Sequence, residues 1–135
     1  MTQLPQEMDS MTKILVAEDD QDIRELIVLT LEFNGFDVVA VEDGSAAVER
    51  AQNGPFDMIL LDVRMPRMTG YDACRRLKEI ESTRDIPIIF LSAKGQEAEI
   101  QTGLDVGAAD YILKPFAPDA LVRTIRRVLN NMSAG

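Results

Sequence analysis

Short apolar runs rich in branched side chains recur along the chain at Ile14 to Ala17, Phe36 to Val41, Met58 to Leu61, Ile88 to Leu91 and Tyr111 to Leu113. Continuous rather than alternating apolarity predicts strands buried mostly on both faces. The segments between them have helical spacing. Ile23, Leu26, Ile27, Thr30 and Leu31 follow the i, i+3, i+4, i+7, i+8 rule, and Gly35 supplies a stop. Ala47, Val48 and Ala51 repeat the pattern ahead of Gly54 and Pro55, and Thr69 can cap a helix carrying Cys74, Leu77 and Ile80. A weaker, glycine-containing helix is predicted over about Gln96 to Val106. The last helix starts near Pro118, a good first-turn residue, and should bury Leu121, Ile125, Val128 and Leu129.

A strand followed by a helix, repeated five times, predicts an α/β fold: a doubly wound parallel sheet with helices on both faces. Right-handed crossovers leave few windings, and the flavodoxin-like (βα)5 arrangement with strand order 2-1-3-4-5 is the expected one. A chain of 135 residues supplies core for one domain. The expected organisation is a flexible leader at 1–12, a domain at 13–130 and a frayed tail at 131–135.

Composition narrows the chemistry. With 46% hydrophobic residues the chain is expected to fold rather than stay disordered. No apolar run approaches the ~18 to 20 residues that cross a bilayer and no signal peptide is present, so a cytoplasmic protein with no membrane partner is expected. A net charge of −9 disfavours direct contact with nucleic acid. The absence of histidine excludes Ser-His-Asp and Cys-His catalysis and favours hard, oxygen-loving cations, namely Mg²⁺, Mn²⁺ or Ca²⁺. The single cysteine, Cys74, reads as a core-facing helix residue.

In a parallel sheet, residues just past each apolar run emerge along one edge. Strand 1 leads into Glu18 and Asp19, strand 3 ends in Asp62, strand 4 in Ser92 and strand 5 in Lys114. Adjacent strands lie ~4.8 Å apart, so Asp19 and Asp62 should approach to roughly 5 Å, with the long Lys114 stem spanning the remaining gap. Like charges at that distance repel by roughly 3 kcal/mol at an effective dielectric near 20, and a divalent cation relieves them. A carboxylate held beside a cation and an ammonium is a nucleophile suited to phosphorus. Asp62, in the middle of the rim, is the candidate.

The stretches "ILVAEDD", "MILLDVRMPRMTG", "IIFLSAKG" and "GAADYILKPF" together resemble the receiver domain of bacterial two-component response regulators, over about Lys13 to Asn130. The resemblance implies Mg²⁺ (Mn²⁺ as a substitute) held by Asp19, by Glu18 through water, by Asp62 and by the backbone carbonyl of Arg64. It implies phosphorylation of Asp62 by a histidine kinase or histidine phosphotransfer protein. Ser92 would then be the switch hydroxyl, Lys114 the conserved-type ammonium before a cis Pro115, and Tyr111 the aromatic switch. Phosphorylation would alter the surface of the fourth helix, fifth strand and fifth helix, and so control a downstream protein or output domain. Arg64 and Lys94 occupy positions from which the family tunes dephosphorylation. The positions that pair charges across dimers of winged-helix-type receivers hold Thr102, Ala120 and Thr124, which disfavours such a dimer, while Arg123, Arg126 and Arg127 form a basic edge on the last helix.

Two other classes compete. An aspartyl-phosphate phosphatase or phosphotransferase usually places a second acid two residues after the nucleophile, where this chain has Arg64. A flavin carrier on the same fold would need a Ser/Thr/Gly-rich loop after strand 1, and the chain has none. The expectation is therefore a signalling phosphoacceptor without turnover of an external substrate.

Overall fold

Five strands and five helices alternate along the chain in the computed structural model, which describes residues 12–93 and 97–134. They are β1 (Lys13–Ala17), α1 (Gln21–Phe33), β2 (Asp37–Val41), α2 (Gly44–Ala51), β3 (Met58–Asp62), α3 (Gly70–Glu79), β4 (Ile88–Ala93), α4 (Glu97–Asp105), β5 (Asp110–Lys114) and α5 (Pro118–Ala134). The strands form one parallel sheet in the order β2-β1-β3-β4-β5. This is the doubly wound, flavodoxin-like arrangement expected from the alternation of patterns.

Strand residues alternate between two cores. Leu15, Ala17, Ile59, Leu61, Ile88 and Phe90 face Ala47 and Val48 of α2 and Cys74 and Leu77 of α3. Ile14, Val16, Leu60, Ile89 and Leu91 face Ile27 and Leu31 of α1 and Leu121 and Ile125 of α5. Each fully buried aliphatic side chain contributes about 1.5–3 kcal/mol, and the three inner strands carry many of them.

The helix signals act where the sequence places them. The Thr69 hydroxyl accepts from the Asp72 N–H and opens α3, Pro118 opens α5, and Gly35 takes a left-handed φ of 91° just after α1.

Three expectations need correction. The strands are not all buried on both faces, because β2 and β5 are edge strands with a single neighbour and are only partly covered. Leu26 fits the apolar period of α1 yet remains 44% exposed, since it lies at the margin of the stripe, where Ile27 and Leu31 fill the interface. At the carboxyl end, α5 continues to Ala134 rather than fraying after Asn130; no glycine or proline interrupts the helix before Gly135. Residues 1–11 of the leader, and Lys94, lie outside the described residues.

Candidate phosphoacceptor and metal site

The carboxyl ends of β1, β3, β4 and β5 bring Glu18, Asp19, Asp62, Ser92 and Lys114 to one edge of the sheet. Glu18, Asp19, Asp62 and Lys114 line a cleft of about 250 Å³ together with Arg64. Glu18, Asp19 and Asp62 each offer a carboxylate oxygen within 4.8 Å of the others, close to the separation expected from strand spacing. Glu18 and Asp62 are buried and Asp19 is exposed.

The ammonium of Lys114 reaches across β4 to lie 3.1 Å from Asp62 Oδ1 and 3.1 Å from Glu18 Oε1. Its peptide bond to Pro115 is cis. One cation thus faces two buried acids, and the balance of charge is visible in their proton affinities. Burial and the neighbouring Asp62 charge raise the Glu18 pKa to about 7, although Lys114 and the Asp20 N–H pull the other way. Burial also raises Asp62, again opposed by Lys114. For Lys114 burial would lower the pKa, but the charges of Asp62 and Glu18 outweigh it and the ammonium is held above its usual range.

Ser92 lies at the wall of this group, next to the end of β3. It is buried, and among the described residues its Oγ is the one buried side-chain oxygen or nitrogen without a hydrogen-bond partner. A buried hydroxyl ordinarily finds a partner, and an acceptor brought into the cleft would give this one its hydrogen bond. Tyr111 lies on the outer strand β5 and is 37% exposed.

Several residues that shape the site gave no such signal in the sequence. Asp20 is the N-cap of α1, accepting from the Ile23 N–H at 3.0 Å. That fixes the helix start directly behind the acidic pair. Arg24 donates to the Glu18 carbonyl at 2.9 Å, and the Glu18 N–H donates to Val41 at 3.1 Å, so the acidic loop is pinned from two sides. Gly70, the first residue of α3, lies so close to the backbone carbonyl of Asp62 that a Cβ there would collide with it.

Such a donor set fits a divalent cation. All its ligands are oxygens, two of three acids are buried, and one ammonium does not neutralise them; Mg²⁺ bound by one or two carboxylates plus waters has these requirements. Among the described residues no helix is long and apolar enough to cross a membrane.

A buried aspartate, an acidic pair, a hydroxyl and a lysine thus meet at the carboxyl edge of a doubly wound sheet, the crevice in which this class of α/β fold binds its ligands. The chain belongs to the response regulator receiver domain family, whose model matches residues 14–126. It is 43% identical over 121 residues to the phosphate regulon transcriptional regulatory protein PhoB of Escherichia coli (strain K12), covering 90% of this chain and 53% of that protein. It is 40% identical over 119 residues to the response regulator ArlR of Staphylococcus saprophyticus, covering 88% and 53% respectively. The chain therefore spans about half the length of the curated relatives it matches.

Solved structures agree. The chemotaxis response regulator CheY4 of Vibrio cholerae superposes with a TM-score of 0.83 at 35% identity, over 87% of this chain and 98% of that one. The receiver domain of sensor histidine kinase PA1611 from Pseudomonas aeruginosa PAO1, with magnesium coordinated in its active site cleft, gives 0.82 at 34% identity, over 88% and 98%. This chain is thus a receiver module of phosphorelay signalling.

Proposed function

We propose that Asp62 is the phosphoacceptor and that a histidine kinase or histidine phosphotransfer protein is the donor. The observation that carries this reading is the convergence of Asp62, Glu18 and Lys114 within 3.1 Å contacts of one ammonium, beside a buried hydroxyl without a partner. Asp62 sits on the inner strand β3, so its carboxylate is held in place before any donor arrives. One of its oxygens forms the new bond to phosphorus while the phosphorus–nitrogen bond of the donor phosphohistidine breaks, its electron pair returning to the imidazole. The product is an acyl phosphate on Asp62.

Lys114 stabilises negative charge on the transferring group and on the product, and the Ser92 hydroxyl donates to a phosphoryl oxygen. Glu18, Asp19, Asp62 and the Arg64 carbonyl would hold Mg²⁺, with Mn²⁺ as substitute, which when bound neutralises the incoming phosphoryl charge. Satisfying Ser92 favours the conformer in which it has moved toward the phosphate. Tyr111 and the α4–β5–α5 surface respond, and a partner or output domain reads that surface.

Arg64 lines the cleft and, together with Lys94, is assigned to slowing attack of water on the acyl phosphate. The double variant Arg64→Asn, Lys94→Ala should shorten its half-life; an unchanged lifetime removes that role. On the response surface Arg127 pairs with Asp110 of the same chain at 2.6 Å, and Thr102, Ala120 and Thr124 carry no charge to offer a second copy. This supports a readout other than the charge-paired dimer of winged-helix regulators, and the net charge of −9 disfavours direct nucleic-acid contact by this domain.

The test is incubation with acetyl phosphate and Mg²⁺. Wild type should gain one hydroxylamine-labile phosphoryl group, mapped to Asp62, and Asp62→Asn should gain none. Labelling that survives in Asp62→Asn contradicts the assignment.

A further inference from the structure

The loop from β3 to α3 contains a residue in an uncommon conformation. Arg67 has a φ of 67°, in the left-handed region that non-glycine residues rarely adopt. The N–H of Met68 donates to the carbonyl of Pro66 at 2.7 Å, so Arg67 is the centre of a three-residue γ-turn of the strained hand. Such a conformation persists only where its surroundings over-determine it.

Here the surroundings are specific. The Arg67 guanidinium places Nε 2.8 Å and one terminal nitrogen 2.7 Å from the same oxygen of Asp43. The other Asp43 oxygen accepts from the Ala46 N–H at 2.7 Å and caps α2. Asp43 is buried although Arg67 is largely exposed, so the loop reaches in to a fixed anchor rather than pairing on the surface. Next to the pair, Gly44 lies so close to the Met68 carbonyl that a Cβ would collide with it. At the far end of the loop the Gly70 N–H donates to Val63 at 2.9 Å, and the Val63 N–H donates to Leu91 at 3.1 Å.

The stretch held by these contacts carries Arg64, which lines the cleft with Glu18, Asp19 and Asp62. We propose that the Arg67–Asp43 pair is a positioning device for the metal site, locking the γ-turn so that the backbone at Arg64 is presented to the cleft, and coupling the start of α2 to cation binding. The proposal rests on the receiver reading above and adds two residues to it, neither of which lines the cleft. Asp43 carries a lowered pKa, owing first to the Ala46 N–H and then to Arg67, and so stays ionised at neutral pH. Without the pair the loop loses its anchor to the start of α2, and residues 64–66 lose their fixed position.

The experiment compares wild type with Asp43→Asn and Arg67→Gly. Asp43→Asn keeps an acceptor for the α2 cap and loses the ion pair. Arg67→Gly removes the guanidinium at a position where glycine tolerates the backbone conformation. The readouts are Mg²⁺ affinity by calorimetry, the rate of labelling by acetyl phosphate at limiting and saturating Mg²⁺, and the melting temperature.

Both variants should bind Mg²⁺ about ten-fold more weakly, the lower end of the effect of groups that orient metal ligands. Labelling should slow at limiting Mg²⁺ and recover when Mg²⁺ saturates. Arg67→Lys, which keeps the charge but not the fork, should fall between. Unchanged Mg²⁺ affinity with only a lowered melting temperature overturns the positioning role and leaves the receiver reading standing. Absence of Mg²⁺ binding by the wild type overturns both.

Discussion

Glu18 and Lys114 are 96 residues apart in the chain and 3.1 Å apart in the fold, where the same ammonium also meets Asp62. Truncating the lysine should expose what it offsets. Lys114→Met leaves Glu18 and Asp62 buried without their cation, so both acids rise further in pKa and take up protons. Labelling by acetyl phosphate should slow by at least about 10²-fold, as for other losses of a group aimed at transferring charge. Denaturation should reveal a loss of about 1–3 kcal/mol at neutral pH. A variant labelled at the wild-type rate would remove Lys114 from the reaction.

The upward shift of Glu18, from 4.5 to about 7, links the site to pH. The folded state binds more protons than the unfolded chain within that window. Stability from this group is therefore complete below about 4.5 and is lost as pH rises through about 7. Metal-free protein should show that decline in urea melts taken across pH, and Glu18→Gln should flatten it. Mg²⁺ competes with the same proton, so its affinity should strengthen as pH rises through about 7, measured by calorimetry.

Ser92→Ala removes a buried hydroxyl that has no partner. The variant should be as stable as wild type or more so, by up to about 1 kcal/mol, an unusual outcome for a core polar truncation. Its labelling should nonetheless slow, on the order of 10²-fold, because the donor to the phosphoryl oxygen is gone. A substantial loss of stability with normal labelling would reverse the assigned role.

Gly70→Ala should be severe although alanine is the better helix former. Its Cβ would meet the Asp62 carbonyl, which is backbone and cannot rotate away. A loss of about 1–3 kcal/mol in thermal or chemical denaturation is expected from such overpacking, together with weaker labelling of Asp62.

Cys74, on the inner face of α3, is buried in the core, and burial pushes its thiol up to about 11. It should resist thiol reagents at pH 8 until denaturant is added. Rapid reaction in the folded protein would mean that α3 opens locally.

The parts legible in the sequence were those written in period and position. Apolar runs gave the strands, and the residue following each run gave Glu18, Asp19, Asp62, Ser92 and Lys114, because a parallel sheet sends every strand end to one edge. What escaped was written in side-chain contacts that leave no periodic pattern. Arg67 finds Asp43 across two loops, 24 residues away, and Arg24, only six residues on, bonds to the Glu18 backbone carbonyl, which no residue type in the chain advertises. Leu26 escaped for a different reason: period assigns it to the apolar face of α1, but the width of the interface decides whether it is covered. Tyr111 gave a role through resemblance alone, since an aromatic on an edge strand has the same local pattern whether or not it moves.

Strand β3 is hydrogen-bonded to a neighbour on each side, and all five of its residues are buried. An acyl phosphate formed at its tip cannot be accommodated by bending this central plank. Under the proposed phosphorylation, strain would pass sideways through Ser92 on β4 to β5, which has one strand neighbour and is only partly covered. Both margins of the sheet, β2 and β5, are loosely held; the placement of Ser92 on β4 and Lys114 on β5 is what would turn a proposed modification toward the β5 margin.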